Sequence, residues 1–144
     1  MSICVYRLKP RRREAKFDLG IAAVALFLYC SNRFFNLFAN ILSEAFLNNH
    51  FNDLCAGILF PAYVNLLLLF FRTSFRIEGF RNLFSLELIC SIAWEFFTPI
   101  IWSESIGDWI DVAMYFIGGA LYGIARELRC RCIKRGLACD GDRP

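Results

Sequence analysis

Apolar and polar residues follow one another along this chain in blocks, and the blocks have the size of membrane-crossing helices. Apolar runs extend from Phe17 to Cys30, Leu54 to Phe71, Asn82 to Ile101 and about Asp108 to Ile124. A helix needs about 20 predominantly apolar residues to cross a bilayer. The second run is the clearest, with Asn65 as its only strongly polar side chain and Pro61 as a kink site that neighbouring helices would support. The first, at roughly 14 residues, is short for a span and is read as continuing past Ser31. The third is interrupted by Glu87, Glu95 and Pro99, and the fourth carries Gly118, Gly119, Ala120 and Gly123 on a packing face.

Residues 32–48 follow a different rhythm. Asn32, Asn36, Asn40, Ser43, Glu44 and Asn48 recur every three or four positions, with Phe34, Phe35, Leu37, Phe38, Ile41, Leu42, Ala45 and Phe46 on the other side. That period predicts an amphipathic helix, either lying in the interface plane or forming the outer half of a tilted first span. A loop at Arg72–Arg81 and a turn with Ser103, Ser105 and Gly107 separate the later runs. The expectation is an all-α, polytopic membrane protein with four transmembrane helices and an amphipathic helix between the first and second. Residues 1–16 form a basic N-terminus, 17–125 the membrane domain and 126–144 a basic tail.

Composition agrees with this picture. Of 144 residues, 58% are hydrophobic and 20% charged, against about 25% charged in an ordinary soluble domain. This excludes a disordered chain, and the length leaves room for one domain. The formal net charge of +3 matters less than its placement. Fifteen of the sixteen Lys and Arg residues fall in the N-terminal segment, the Arg72–Arg81 loop or the tail, and Arg33 alone falls on the other side. Cytoplasmic loops carry such an excess, so both termini are expected in the cytoplasm, with an even number of crossings. Trp94, Trp102 and Trp109 then lie near the outer boundary, where interfacial aromatics belong. Because the basic blocks flank apolar runs, they read as topology signals and not as a nucleic-acid surface. The first run resembles a signal peptide but lacks a small-residue cleavage site, so it is expected to stay as a helix. Cys30, Cys55 and Cys90 lie in apolar runs and Cys4, Cys130, Cys132 and Cys139 in the basic termini, so no disulfides are expected. Cys130, Cys132 and Cys139 are read as free thiols, with zinc binding or palmitoylation as the alternatives.

With this topology His50, Asp53, Glu95, Glu104, Asp108 and Asp111 gather on the outer side. Ionisable groups at membrane depth cost about 2.5 kcal/mol or more on insertion scales, so each needs a structural or a functional reason. Asp53 and Asp108 each precede an apolar run and fit an N-cap as well as a ligand site. His50 precedes Asp53 by one turn, where it either pairs with it, binds a cation or is solvated. Asp111 and Tyr115, one and two turns inside Asp108, make a polar stripe that no cap explains. Glu95 has no basic neighbour in sequence and is either protonated, paired through the fold, or bound to a cation or a ligand's positive group. The carboxylates suit a hard divalent cation such as Mg or Ca, or a transition metal with His50, but their spacing is that of no specific metal motif. No nucleophile motif is present, which argues against an enzyme. Glu87 and Asn65 lie nearer the cytoplasmic side and are expected to make interhelical hydrogen bonds. The Gly119-x-x-x-Gly123 pair allows close helix approach within the bundle or between protomers, the latter giving a homo-oligomer.

Trp94-Glu95, Asp108-x-x-Asp111 and Gly118-Gly119-x-x-x-Gly123 together resemble the C-terminal half of VanZ-like membrane proteins. The family pattern places a glutamate in one helix and, some fifteen residues on, an aspartate opening a glycine-rich last helix with another acidic residue three positions before it. Glu95, Asp108 and Asp111 match these positions. The family's arginine in the turn is replaced by Ser103 and Glu104, and its asparagine after the aspartate by Tyr115. The segments Asn49–Asp53 and Gly107–Asp111, with Phe60-Pro61, are also similar to small bacterial membrane proteins, some labelled magnesium or citrate transporters. The VanZ-like resemblance implies a role in envelope biology, associated in the founding case with resistance to teicoplanin.

The expected function is thus binding of an amphipathic lipid or envelope-active molecule. Glu95 and Asp111 would hold its polar or cationic portion, with Asp53, His50, Asp108 and Tyr115 around them. The alternative is a small oligomeric transporter in which Asp53, Glu95, Asp108 and Asp111 coordinate a cation or a cation–carboxylate complex.

Overall fold

The computed structural model describes residues 11–35, 50–94 and 109–140, and among these the regular structure is all helix, without strands. Four helices account for it: α1 (Arg11–Phe35), α2 (Phe51–Phe70), α3 (Phe80–Ile92) and α4 (Trp109–Asp140). The segments Arg13–Phe34 and Phe51–Phe70 are long and apolar enough to cross a membrane by length and composition. Most of the amphipathic segment, residues 36–49, and the junction at 95–108 lie outside the described residues. Residues 32–35 of that segment continue α1 as its last turn. The helix at the C-terminus does not stop at Ile124 but continues through the basic tail to Asp140.

Each helix turns a stripe of small and polar residues inward. On α1 this stripe includes Asp18, Ala25, Ser31 and Asn32; on α2 it includes Cys55, Gly57, Pro61, Ala62 and Asn65. On α4 it holds Tyr115, Gly118, Gly119, Tyr122 and Arg126, spaced three or four apart as one helix face requires. The small residues decide which helices meet. A Cβ added at Gly118 would stand 2.8 Å from the Gly57 Cα, and one added at Gly57 would overlap the Tyr115 backbone. The α2 and α4 backbones therefore touch, as small-residue interfaces permit. Facing residues rise together along both helices, from His50–Asp111 through Gly57–Gly118 to Asn65–Tyr122, so α2 and α4 run parallel. Conversely α1 runs antiparallel to α2, with Leu28 beside Phe51 and Cys55, and Ile21 and Ala22 near Ala62. On the far side of α4 lies α3, also antiparallel, with Leu83 at Gly123 and Glu87 at Gly119. Both glycines of the Gly119-x-x-x-Gly123 pair are thus covered within one chain.

The outward faces are apolar: Phe27, Phe34, Phe70, Phe80, Ile89 and Trp109 are each more than half exposed. Helix α2 ends where Arg72 adopts a left-handed conformation with φ 55°. The Thr73 N–H then reaches back to the Leu68 carbonyl at 3.0 Å and the Arg72 N–H to Leu69 at 3.1 Å, the paired bonds of a Schellman stop. The loop that follows returns under the bundle and buries Ile77. Asn65 holds it there through both backbone groups of that residue, accepting from Ile77 N–H at 2.8 Å and donating to Ile77 O at 3.0 Å.

Candidate functional site

Two polar clusters occupy opposite ends of the α2–α4 seam. At the end where both helices begin, His50 Nδ1 lies 2.6 Å from Asp111 Oδ1. A carboxylate only accepts, so the imidazole carries its proton on Nδ1. One turn further in, the Tyr115 hydroxyl donates to Asp53 Oδ1 at 3.0 Å, and the Tyr115 ring stacks on Phe60 with centroids 6.0 Å apart. On the α1 side, Asn32 Nδ2 donates to Asn52 Oδ1 at 3.1 Å. His50, Asp53, Asp111 and Tyr115, four of the residues expected at the site, therefore come together in two adjacent pairs across α2 and α4. Glu95 and Asp108 lie outside the described residues.

One structural reading of Asp53 is corrected. His50 occupies the N-cap position of α2 without a side-chain capping bond, and Asp53 is the third residue of the helix. A carboxylate in the first turn interacts favourably with the helix dipole, and here it also receives the Tyr115 hydroxyl from α4. The α4 stripe of Asp111 and Tyr115 was legible from its four-residue step; its partners on α2 were not.

The two pairs leave the end with more negative than positive charge, since Asp53 meets a phenol and Asp111 an imidazole that is neutral unless doubly protonated. Both members of the His50–Asp111 pair are about five-sixths buried, at 17% and 16% side-chain exposure. Trp109, 74% exposed, opens α4 two residues before Asp111. Such an end suits a cationic or hydrogen-bond-donating group. Among the described residues no group of three or more His, Cys, Asp and Glu side chains is placed to hold a metal ion.

The opposite end is built on Asp18, which is fully buried. Its Oδ1 accepts from the Tyr122 hydroxyl at 2.8 Å and from Arg126 Nη1 at 3.2 Å, while Oδ2 accepts from Arg76. Arg126 also reaches Glu78 at 2.6 Å and Glu14 at 3.2 Å, and Arg129 reaches Glu14 at 3.2 Å. Tyr122 accepts in turn from Asn65 Nδ2 at 2.7 Å, the interhelical bond expected of that asparagine. Burial works against the charge of Arg126, but Tyr122, Asp18 and Glu78 outweigh it and raise its pKa, so the guanidinium stays protonated. Three arginines meet three carboxylates in a balanced network tying α1, the α2–α3 loop and α4 together. Balanced in charge, with Arg76 Nε its one buried nitrogen lacking a hydrogen bond among the described residues, it acts as a clamp.

Sequence reasoning missed this cluster because its arginines were assigned to topology. The signal that could have found it was Asp18 itself, a carboxylate one residue into the first apolar run, where an ionisable group calls for a partner. No family model matches the chain, and neither does any curated protein or solved structure.

Proposed function

We propose that the chain is a four-span protein of the bacterial inner membrane, VanZ-like in its last two spans, that binds an amphipathic lipid or envelope-active molecule at the outer end of the α2–α4 seam. The inverted distribution of side chains supports the membrane setting. Asp18, Asn65 and Glu87 are among the most buried side chains, while Phe, Leu, Ile and Trp form the exterior. Water-soluble domains place these classes the other way round. Parallel α2 and α4, with α1 and α3 running against them, fit four successive crossings with both termini on the side of the Arg76–Arg126 cluster.

The observation that carries the binding reading is the meeting of His50, Asp53, Asp111 and Tyr115 from two helices, near the exposed start of α4 at Trp109. It forms a largely buried acidic end, which in this reading lies at headgroup level. Asp111, held by His50, faces the cationic portion of the bound molecule; Asp53 and Tyr115 form the inner wall. Glu95 and Asp108 complete the site in this reading.

Native mass spectrometry of the detergent-extracted protein tests it, comparing wild type with Asp111→Asn after extraction from membranes rich in phosphatidylethanolamine. A lipid or envelope molecule retained by wild type and lost from the variant is the expected result. Identical adducts on both proteins would exclude Asp111 from any binding site, and a retained metal ion in place of a lipid would favour the transport alternative.

A further inference from the structure

Glu87 lies outside both clusters. Helix α3 lays Leu83, Glu87 and Ser91, one turn apart, along its inward face, and all three are buried. Glu87 is 1% exposed, and among the described residues neither carboxyl oxygen has a hydrogen-bond partner, contrary to the interhelical bond expected for it. It sits against the bare backbone of α4. A Cβ added at Gly119 would stand 2.6 Å from the Glu87 Cγ and 2.8 Å from its Oε1, so the glycine makes the space the carboxyl fills. Ser91, the nearest hydroxyl on the same face, donates to the Leu88 carbonyl at 3.1 Å.

Among the described residues, the charged and titratable groups of the helices around α3 are engaged elsewhere, turned outward or uncharged thiols. On α4, Asp111 pairs with His50, Tyr115 with Asp53, and Tyr122 and Arg126 with Asp18. On α2, Cys55 is buried beside Phe51 and Tyr63 is exposed. On α3 itself Cys90 is partly buried. Among the described residues an ionised carboxylate in that setting has neither a counter-ion nor a donor, and burying it so costs far more than burying the neutral acid. A metal ion is a poor occupant, since hard cations require six or more oxygen ligands and a single carboxyl supplies two.

We propose that Glu87 is a proton-binding site inside the helix bundle: the carboxyl holds a proton while α3 is seated on Gly119, and release of that proton frees α3 from α4. The geometry gives the coupling its direction. The neutral acid fits the glycine seat, whereas the carboxylate gains by any movement that brings it to water or to a donor. Helix α3 is the element free to make that movement, because it packs along α4 and only marginally on α2. The inference takes its membrane setting from the four-span reading and is independent of the outer site.

The full chain in phospholipid vesicles, probed with dicyclohexylcarbodiimide, tests the proposal. The reagent needs the protonated acid: the carboxyl proton passes to a carbodiimide nitrogen and the carboxyl oxygen attacks the central carbon. The resulting O-acylisourea rearranges to a stable N-acylurea, so one reagent mass is added and no group leaves. Peptide mass spectrometry should find the label on Glu87, absent in Glu87→Gln, and falling towards tenfold per pH unit once the site titrates. Hydrogen exchange of the α3 amides, corrected for intrinsic base catalysis, should accelerate with pH in wild type and not in Glu87→Gln, whose amide stays neutral. No label at Glu87 at any pH, or label and α3 exchange that do not vary with pH, would overturn the proposal. So would the same pH response in Glu87→Gln. If that variant does not accumulate, the wild-type labelling and exchange profiles still decide. Asp111→Asn should label like wild type, and resistance of the protein to alkaline carbonate extraction reports the membrane reading separately.

Discussion

Tyr122 of α4 donates its hydroxyl hydrogen to Asp18 of α1, 104 positions earlier in the chain, at 2.8 Å. That bond joins the helix at one end of the sequence to the helix at the other. Its acceptor is the carboxylate around which Arg76 and Arg126 are gathered.

Asp18→Asn should therefore destabilise the bundle by about 3 kcal/mol, the cost of leaving buried charges without their partner. Glu78→Gln, at a residue whose side chain is 46% exposed, should cost under about 1 kcal/mol because solvent screens the pair. Unfolding of the two variants by dodecyl sulfate titration in mixed micelles would measure both. Equal losses would mean that the network is not centred on Asp18.

The contact between α2 and α4 is sensitive to one methyl group. Gly57→Ala and Gly118→Ala should each cost about 1–3 kcal/mol, because the added carbon meets backbone that cannot move independently. Gly20→Ala, where a Cβ meets nothing within 4 Å, should instead stabilise α1 by about 0.5–1 kcal/mol through helix propensity. The same titration distinguishes the two signs.

Arg72→Gly should stabilise the protein by up to about 1 kcal/mol. The position has φ 55° and terminates α2, and a glycine there avoids the clash that a Cβ suffers in the left-handed region. An unchanged or lowered midpoint would show that the arginine side chain contributes contacts that outweigh this relief.

Asn65→Leu should cost about 2–4 kcal/mol, since it leaves the N–H and C=O of the buried Ile77 without their side-chain partners. The loss should be accompanied by faster hydrogen exchange in residues 73–79, which Asn65 holds against the bundle. Stability lost without faster exchange there would place the effect in packing, not in the loop.

The positions of the helices were legible because burial in lipid and burial in protein both demand apolar length, and the Leu54–Phe71 run matches α2 within a few residues. Less was legible in how the helices face one another. Gly57 gives no periodic signal, yet it sets the closest approach in the bundle. Among the site residues, Asp111 and Tyr115 could be read as a stripe because both lie on one helix. Their pairing with His50 and Asp53 depends on the parallel register of α2 and α4, which no local pattern encodes. Asp18 and Glu87 show the opposite case, where a charge inside an apolar run announces itself but its partner, or its solitude, is settled only by the fold.

The 32 residues of α4 make a rod about 48 Å long at 1.5 Å per residue. Its first turn carries Asp111, Gly118 a third of the way along meets α2, and Arg126 beyond it is clamped to Asp18, Glu14 and Glu78. A rod fixed at two points about 12 Å apart cannot pivot on one of them alone. Any tilt of α4 that begins at His50 and Asp111 therefore has to strain the arginine clamp, and the stiffness of one helix couples the two ends of the seam.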